Sequence, residues 1–339
     1  MGAPDSFRWK LADDETGRGQ LAFFSPEDLG RRHVGTGEFR GYEFLHVNAK
    51  RIINTVPAAS SMPFRHTINA YRGCSHACVY CFARPTHEYL GLGIGEDFER
   101  KLVVKINAVE RVRAELRSDR WAGEPIAMGT NTDPYQRCEG KYHLTRGIIS
   151  ALREAANPFS ILTKSTLILR DLDLLAEAAK RTLVQCSFSI GTLDESVWRA
   201  TEPGTPQPRQ RVAALKKLVD AGVATSVLVA PVIPGLSDSP DQLAAVVDAC
   251  LEAGARSVTA IPLHLRPGVR EHFMDWLRRE RPELAPRFER HYRRSYLAAS
   301  DQERITGFVR DRVGRRRGSS AISGPSSPSR PDTTRRQAG

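Results

Sequence analysis

Six apolar, β-rich stretches alternating with five helical patterns constrain this chain more than any other feature. The stretches are HTINAYRG (66–73), PIAMGT (125–130), FSILTK (159–164), TLVQCSFSI (182–190), ATSVLVAPVI (224–233) and SVTAIPLHL (257–265). Between them lie FERKLVVKINAVERVRAELRS (98–118), LTRGIISALREAA (144–156), DLDLLAEAAKR (171–181), PRQRVAALKKLVDAG (208–222) and SPDQLAAVVDACLEAG (239–254). Their apolar positions recur at three and four residues, the period of an amphipathic helix. Thr145 and Asp171 sit where N-caps are expected, and Ala-Gly pairs at 221–222 and 253–254 supply C-terminal stops. Repeated βα units predict an α/β fold with a parallel sheet. An open doubly wound sheet and a partial barrel both satisfy this pattern, and right-handed crossovers fit both. In either, active groups gather at the carboxyl ends of the strands.

The flanks read differently. Residues 1–60 form an N-terminal extension with little periodicity, apart from VNAKRIINTVP (47–57), which suits a short strand and turn. The core domain is expected over 61–268 and a helical C-terminal extension over 269–313. The segment 314–339, GRRRGSSAISGPSSPSRPDTTRRQAG, has almost nothing to bury and is expected to be a disordered basic tail. The net charge of +11 makes an anionic partner such as nucleic acid a candidate. No apolar run approaches the ~18 residues of a membrane span, and no secretory leader is evident, so a cytoplasmic location is expected. A reducing compartment makes clustered cysteines metal ligands or catalysts rather than disulfides.

Such a cluster exists. In GCSHACVYC (73–81), Cys74, Cys78 and Cys81 are spaced C-x₃-C-x₂-C just after the first predicted strand. A structural zinc site closes with four ligands, and His76, His87 or Cys138 would have to supply the fourth. Cys186 and Cys250 lie on predicted core elements and read as small buried apolar residues. Three thiolates can instead hold a cubane iron–sulfur cluster by three irons, leaving the fourth open to a ligand.

With an aromatic, Tyr80, before the last cysteine, and six βα units around it, this motif resembles that of the radical S-adenosylmethionine (SAM) superfamily. The resemblance implies a partial (β/α)₆ TIM-like barrel. It implies a [4Fe-4S] cluster on Cys74, Cys78 and Cys81, with SAM chelating the open iron and cleaved by one electron to a 5′-deoxyadenosyl radical. An electron donor such as flavodoxin or ferredoxin is implied as a partner. Together YRGCSHACVYCFARPTHEYLG, GTNTDPYQ, TKSTLILRDLDLL, SFSIGTLDESVWRATEPGTPQPRQRV and APVIPGLSD are similar to the radical SAM proteins related to spore photoproduct lyase, a DNA repair enzyme.

Candidate SAM-binding residues follow from that likeness. Thr130, Asn131, Thr132 and Asp133 form a polar turn after the second strand, suited to SAM's amino end, though N-T-D-P is also good turn chemistry. Lys164 ends the third strand and can pair with SAM's carboxylate or a substrate phosphate. Ser187 and Ser189 alternate on strand four and share a face, with Ser189 nearer the strand end. Arg211 suits a carboxylate, and Glu202 is its candidate partner. Val232 and Ile233 are placed to pack on adenine, and ordinary strand core is the alternative.

The chain departs from the lyase pattern at two points. Thr130 occupies the position of the expected hydrogen-donor cysteine, and Phe82 replaces a tyrosine after the third cluster cysteine. Cys138, eight residues later, is a candidate donor or redox residue, with a role-free exposed loop cysteine as the plain alternative. Tyr80 is the other candidate catalytic residue. The leading expectation is therefore a radical SAM enzyme acting on an unidentified substrate, with nucleic acid the candidate. The competing class is a non-enzymatic iron–sulfur or zinc module that binds nucleic acid, and it requires a fourth permanent ligand.

Overall fold

The computed structural model describes residues 29–60 and 62–322. Its strands are β1 (Leu29–Val34), β2 (Glu43–Val47), β3 (Ile53–Thr55), β4 (His66–Ile68), β5 (Tyr71–Arg72), β6 (Lys101–Lys105), β7 (Ile126–Met128), β8 (Phe159–Thr163), β9 (Val184–Ser189), β10 (Ala224–Val232) and β11 (Val258–Pro262). The larger sheet has the order β11-β10-β9-β8-β7-β4-β3. Its six strands from β4 to β11 are parallel and lie side by side in chain order, with β3 antiparallel on the edge of β4. A doubly wound sheet would reverse its order at a switch point. This one never does, so the pattern resolves as a partial (β/α)₆ barrel.

The register separates the two faces of the barrel wall. Ile68, Met128, Ile161 and Cys186 form one row across four strands, and all are fully buried. The next row is Thr67, Ala127, Ser160 and Gln185, and Ser187 and Ser189 continue its face along β9. The apolar face lies under the surrounding helices. Among them, α1 (Glu96–Arg100), α2 (Ala108–Leu116), α3 (Glu139–Tyr142), α4 (Leu144–Glu154), α5 (Leu172–Ala179), α6 (Glu195–Thr201), α7 (Pro208–Asp220) and α8 (Pro240–Glu252) precede α9 (Val269–Glu280), α10 (Ala285–His291) and α11 (Ala299–Ile322). α5, α7 and α8 pack on β9 and β10. The other face is left polar, which a sealed core would not tolerate but a substrate-holding interior requires.

Four expectations are corrected. The single helix predicted over 98–118 breaks into α1, β6 and α2, because KLVVK pairs with β2 and buries both of its faces. The extension before residue 60 holds β1 and β2 as well as β3, the short strand expected within 47–57; with β5 and β6, β1 and β2 form a second, four-stranded sheet of order β1-β2-β6-β5. The predicted first strand over 66–73 divides at Asn69-Ala70, its second part joining that small sheet. At the other end, α11 continues past Gly314 to Ile322. It packs on α8 and β11, with Arg312 paired to Asp248 and Arg316 reaching Glu252 at 2.6 Å. The rest of the expected tail, 323–339, lies outside the described residues. Among those described, no helix is long and apolar enough to cross a membrane.

Candidate active site

The loop after β5 carries the three cysteines in successive tight turns. Ala77 N–H donates to Cys74 O (3.2 Å), Cys81 N–H to Cys78 O (3.2 Å) and Arg84 N–H to Cys81 O (3.3 Å). Gly73 opens the loop at φ +81°, and a Cβ there would stand 2.8 Å from the Phe98 carbonyl oxygen, so only glycine fits. The loop is anchored from outside as well. Val79 N–H donates to Thr201 O (3.1 Å) and Gly204 N–H to His76 O (3.1 Å). Arg84, fully buried, donates through Nε and Nη2 to Cys78 O at 3.1 and 2.9 Å. It also pairs with Glu99 at 2.6 Å.

Cys74 and Cys78 are buried and Cys81 is partly exposed. Burial pushes all three thiols up, Cys78 to about 12. Ionising them here calls for a compensating positive charge, which a metal centre provides. None of the three candidate fourth ligands joins them. His76 Nδ1 faces Asp133 Oδ2 at 3.3 Å. His87 Nε2 faces Lys101 O at 3.0 Å, and its burial lowers it to about 4. Cys138 is fully buried at the start of α3, beside Glu139, Tyr71 and Tyr142. It is therefore not the exposed loop cysteine of the plain expectation. Among the described residues, no three His, Cys, Asp or Glu side chains group as ligands of one metal ion. The donor set fits a group that spaces its three thiolates around itself, with a corner left over, and does not fit a closed zinc site.

The turn at 129–133 lies directly against the cysteine loop. Thr132 Oγ1 donates to Gly73 O at 2.6 Å. Gln136 Nε2 donates to the same carbonyl at 3.1 Å while its Oε1 accepts Ser75 N–H at 3.0 Å. Asp133 accepts from Thr163 Oγ1 (2.7 Å), Lys164 N–H (2.8 Å) and Tyr135 N–H (2.9 Å). Burial would raise its carboxyl, yet His76 and these hydrogen bonds hold it at about 2. Thr132 and Asp133 thus brace the loop with their side chains, and Thr130 and Asn131 face a neighbouring cavity. Gly129 has φ +87°, and an added Cβ would stand 1.9 Å from Leu162 O. Gly129→Ala is expected to destabilise the chain by about 3 kcal/mol or more, since neither backbone can yield cheaply. Urea unfolding checks this; a loss under about 1 kcal/mol would refute the close approach.

Five other sequence candidates converge on one buried network. Tyr80 Oη donates to Glu202 Oε1. Glu202 Oε2 accepts from Arg211 Nη2 at 2.5 Å, and Arg211 Nη1 donates to Ser189 O at 3.0 Å. Lys164 Nζ stands 5.7 Å from the Tyr80 ring centroid. Burial opposes the charge on Glu202, but Arg211 and Lys164 outweigh it and lower its pKa. Burial likewise opposes the charge on Lys164, and Glu202 and Cys78 more than offset it. Ser189 engages by its carbonyl here; its own hydroxyl donates to Ala230 O at 2.6 Å. Val232 and Ile233 are fully buried core residues and line neither of the two cavities beside the cysteine loop.

Those two cavities differ. A cleft of about 1050 Å³ is walled by His76, Gly204, Arg137, Lys141 and Arg170. A smaller one of about 320 Å³ runs from β3 past Asn69 to Thr130. Arg84 and Gln136 were not singled out from the sequence. Both act on backbone carbonyls, and the only signal was their place: one just after the third cysteine, the other closing the GTNTDPYQ turn.

Comparison with known proteins agrees with this geometry. The chain belongs to the radical SAM superfamily, whose family model matches residues 68–260. It is 46% identical over 303 residues to an uncharacterised protein of Mycobacterium tuberculosis, covering 89% of this chain and 88% of that one. It is 25% identical over 201 residues to a radical SAM Nα-GlyT isomerase of Pseudomonas phage M6, covering 59% of this chain and 39% of the phage protein. Among solved structures it is similar to spore photoproduct lyase complexed with dinucleoside spore photoproduct, with a TM-score of 0.58 and 16% identity over 80% of this chain and 79% of that one. The chain is accordingly an enzyme of the radical SAM class with the partial-barrel fold.

Proposed function

We propose that Cys74, Cys78 and Cys81 hold a [4Fe-4S] cluster at the carboxyl end of the barrel, and that the enzyme abstracts hydrogen from a nucleic acid substrate. The observation that carries this reading is the set of three cysteines on one loop, two buried and the third partly exposed, with His76 facing Asp133, His87 facing Lys101 and Cys138 buried beside other neighbours. When bound, the cluster and SAM supply a 5′-deoxyadenosyl radical, with the electron brought by an external one-electron donor. The chain's own residues place and shield that chemistry. Arg84, Thr132 and Gln136 fix the loop's backbone. Tyr80, Lys164, Glu202 and Arg211 form a charged wall beside Cys78, suited to the amino and carboxylate groups of SAM. Thr130 and Asn131 border the substrate side.

The +11 net charge and the likeness to a lyase solved with a dinucleoside lesion support nucleic acid as the substrate class. Neither the lyase nor the isomerase reaction is carried over. Thr130 offers no thiol and Phe82 no phenol, and Cys138, buried beside Tyr71 and Glu139, does not replace them.

The test is anaerobic reconstitution with iron and sulfide, then dithionite and SAM, with 5′-deoxyadenosine quantified by chromatography. Its formation is expected only when both dithionite and SAM are present. A well-formed cluster that yields none, and whose EPR signal SAM leaves unchanged, would overturn the reading.

A further inference from the structure

Three aromatic rings meet just past the carboxyl end of β11. The His264 ring lies 6.0 Å from that of Phe82, between centroids, with 33° between their planes. Tyr296 stacks on the same imidazole at 5.7 Å and 22°. Phe82 directly follows Cys81, so the group begins at the edge of the proposed cluster site. Its scaffold is well anchored. Leu263 and Leu265 are buried, while His264 between them is half-buried and Arg266 is exposed. Leu265 N–H donates to Ser295 O at 2.7 Å and Tyr292 Oη to Leu263 O at 2.9 Å, which ties the segment after α10 to the strand end. Leu297 is buried on the far side of Tyr296. Yet Phe82 stays 45% and Tyr296 54% exposed. A single exposed ring is ordinary; rings grouped beside a reaction site mark a binding surface. Burial and the adjacent Arg266 lower His264 below its ordinary 6.5, so near pH 7 its ring is uncharged like the other two.

The charge beside these rings is one-sided. Arg266, Arg293 and Arg294 are exposed, and among the described residues none of them pairs with a carboxylate. Elsewhere on the same extension arginines are committed, Arg278 to Glu289 at 3.0 Å and Arg304 to Asp238 at 2.9 Å. Exposed ring faces with unpaired guanidinium groups suit a nucleic acid strand whose bases are unpaired. Its bases stack on the rings whatever their identity, and its phosphates meet the arginines. A duplex hides its base faces and would use the arginines alone. An acidic protein surface would answer the arginines and leave the rings without partners.

We propose that Phe82, His264 and Tyr296 form a stacking surface for the unpaired bases of a single-stranded nucleic acid, with Arg266, Arg293 and Arg294 holding its phosphates. This rests on the nucleic acid reading above and narrows it: the strand reaches the cluster unpaired.

The probes are fluorescently labelled oligothymidylate, oligouridylate and a DNA duplex, each about twelve nucleotides long, titrated by anisotropy into the reconstituted full chain. At least one single strand is expected to bind about tenfold more tightly than the duplex, and which one it is tells DNA from RNA. Phe82→Leu and Tyr296→Leu are each expected to weaken that strand by about fivefold or more and to leave the duplex unchanged, while Tyr296→Phe keeps most of the affinity. Arg293→Ala and Arg294→Ala should weaken strand and duplex alike, each lowering the salt slope for the strand by about 0.7. Iron content is checked first, since Phe82 adjoins Cys81; Tyr296→Leu, far from the cysteines in sequence, decides the matter if Phe82→Leu loses its cluster. A duplex bound as tightly as both strands, or folded leucine variants that bind the strands unchanged, would overturn the proposal and leave the nucleic acid reading standing. If none of the three probes binds, that reading fails and this site with it. Leucine variants that bind unchanged but slow deoxyadenosine formation driven by reduced flavodoxin, and not by dithionite, would assign the face to the electron donor and overturn the proposal as well.

Discussion

Alanine at Cys74, Cys78 or Cys81 is expected to abolish the stable cluster, while Cys138→Ala keeps it. Reconstituted wild type should carry about four irons and four sulfides per chain, and each of the three variants well under one. The physical reason lies in the loop. Cys74 and Cys78 are buried and Cys81 is partly so, and burial disfavours ionisation of all three, pushing Cys78 to about 12. Each thiolate is bought only by the charge of the iron it binds, so losing one removes a corner that two others cannot hold. Cys138 is the control that discriminates. It too is buried, but its neighbours are Tyr71, Glu139 and Tyr142 rather than the three cysteines. Removing its sulfur should cost about 1 kcal/mol of packing and no iron. Iron and sulfide assays with visible absorption read the result. If Cys138→Ala lost iron as fully as Cys78→Ala, a fourth permanent ligand would exist, and the open corner on which the proposed chemistry depends would not.

Much of this architecture was legible because it is periodic. Five of the predicted strand stretches contain β7 to β11, and helices appear between them where apolar residues recur at three and four. The choice between barrel and open sheet was not legible, since it depends on which strands pair, a non-local matter. KLVVK misled because three apolar residues between two lysines extend a helical pattern as readily as they make a strand, and only its partner β2 decides. β1 and β2 were missed for the same reason: LGRRHV and EFLHV carry weak patterns, and their stability comes from each other and from β6. At the site, the chemistry-bearing residue types could be read. Tyr80, Glu202 and Arg211 stand together as a network, although the sequence separates Tyr80 from Glu202 by more than a hundred positions. Arg84 and Gln136 could not be read, because a side chain that clamps a carbonyl leaves no compositional trace. Cys138 was misplaced because its neighbours in sequence are polar, while what covers it comes from β5 and α3.

The network at Glu202 leads to the second large effect. Arg211→Met is expected to destabilise the apo chain by about 3–5 kcal/mol, because Glu202 would keep its charge in a buried site without its main partner. Arg211 is fully buried and Glu202 5% exposed, so water cannot replace the lost guanidinium. Lys164 and the Tyr80 hydroxyl would soften the loss without cancelling it. Glu202→Gln/Arg211→Met should recover part of the deficit, since the double variant strands no carboxylate; this coupling separates electrostatics from lost packing. The pH dependence has a definite sign. Glu202 is held below its ordinary 4.5, so the fold favours its charged form. That contribution is complete above about pH 4.5 and is lost as pH falls through the lowered value. Glu202→Gln should therefore flatten the acid limb of the stability profile. Urea unfolding of the apo forms between pH 3 and 7 measures both effects. An Arg211→Met loss under about 1 kcal/mol, or a double variant that simply sums the single losses, would show that the pair is not the coupled charge the geometry describes. The same network turns Tyr80 toward Glu202 beside Cys78, so the charge that stabilises this wall also sets the surface that SAM is proposed to meet.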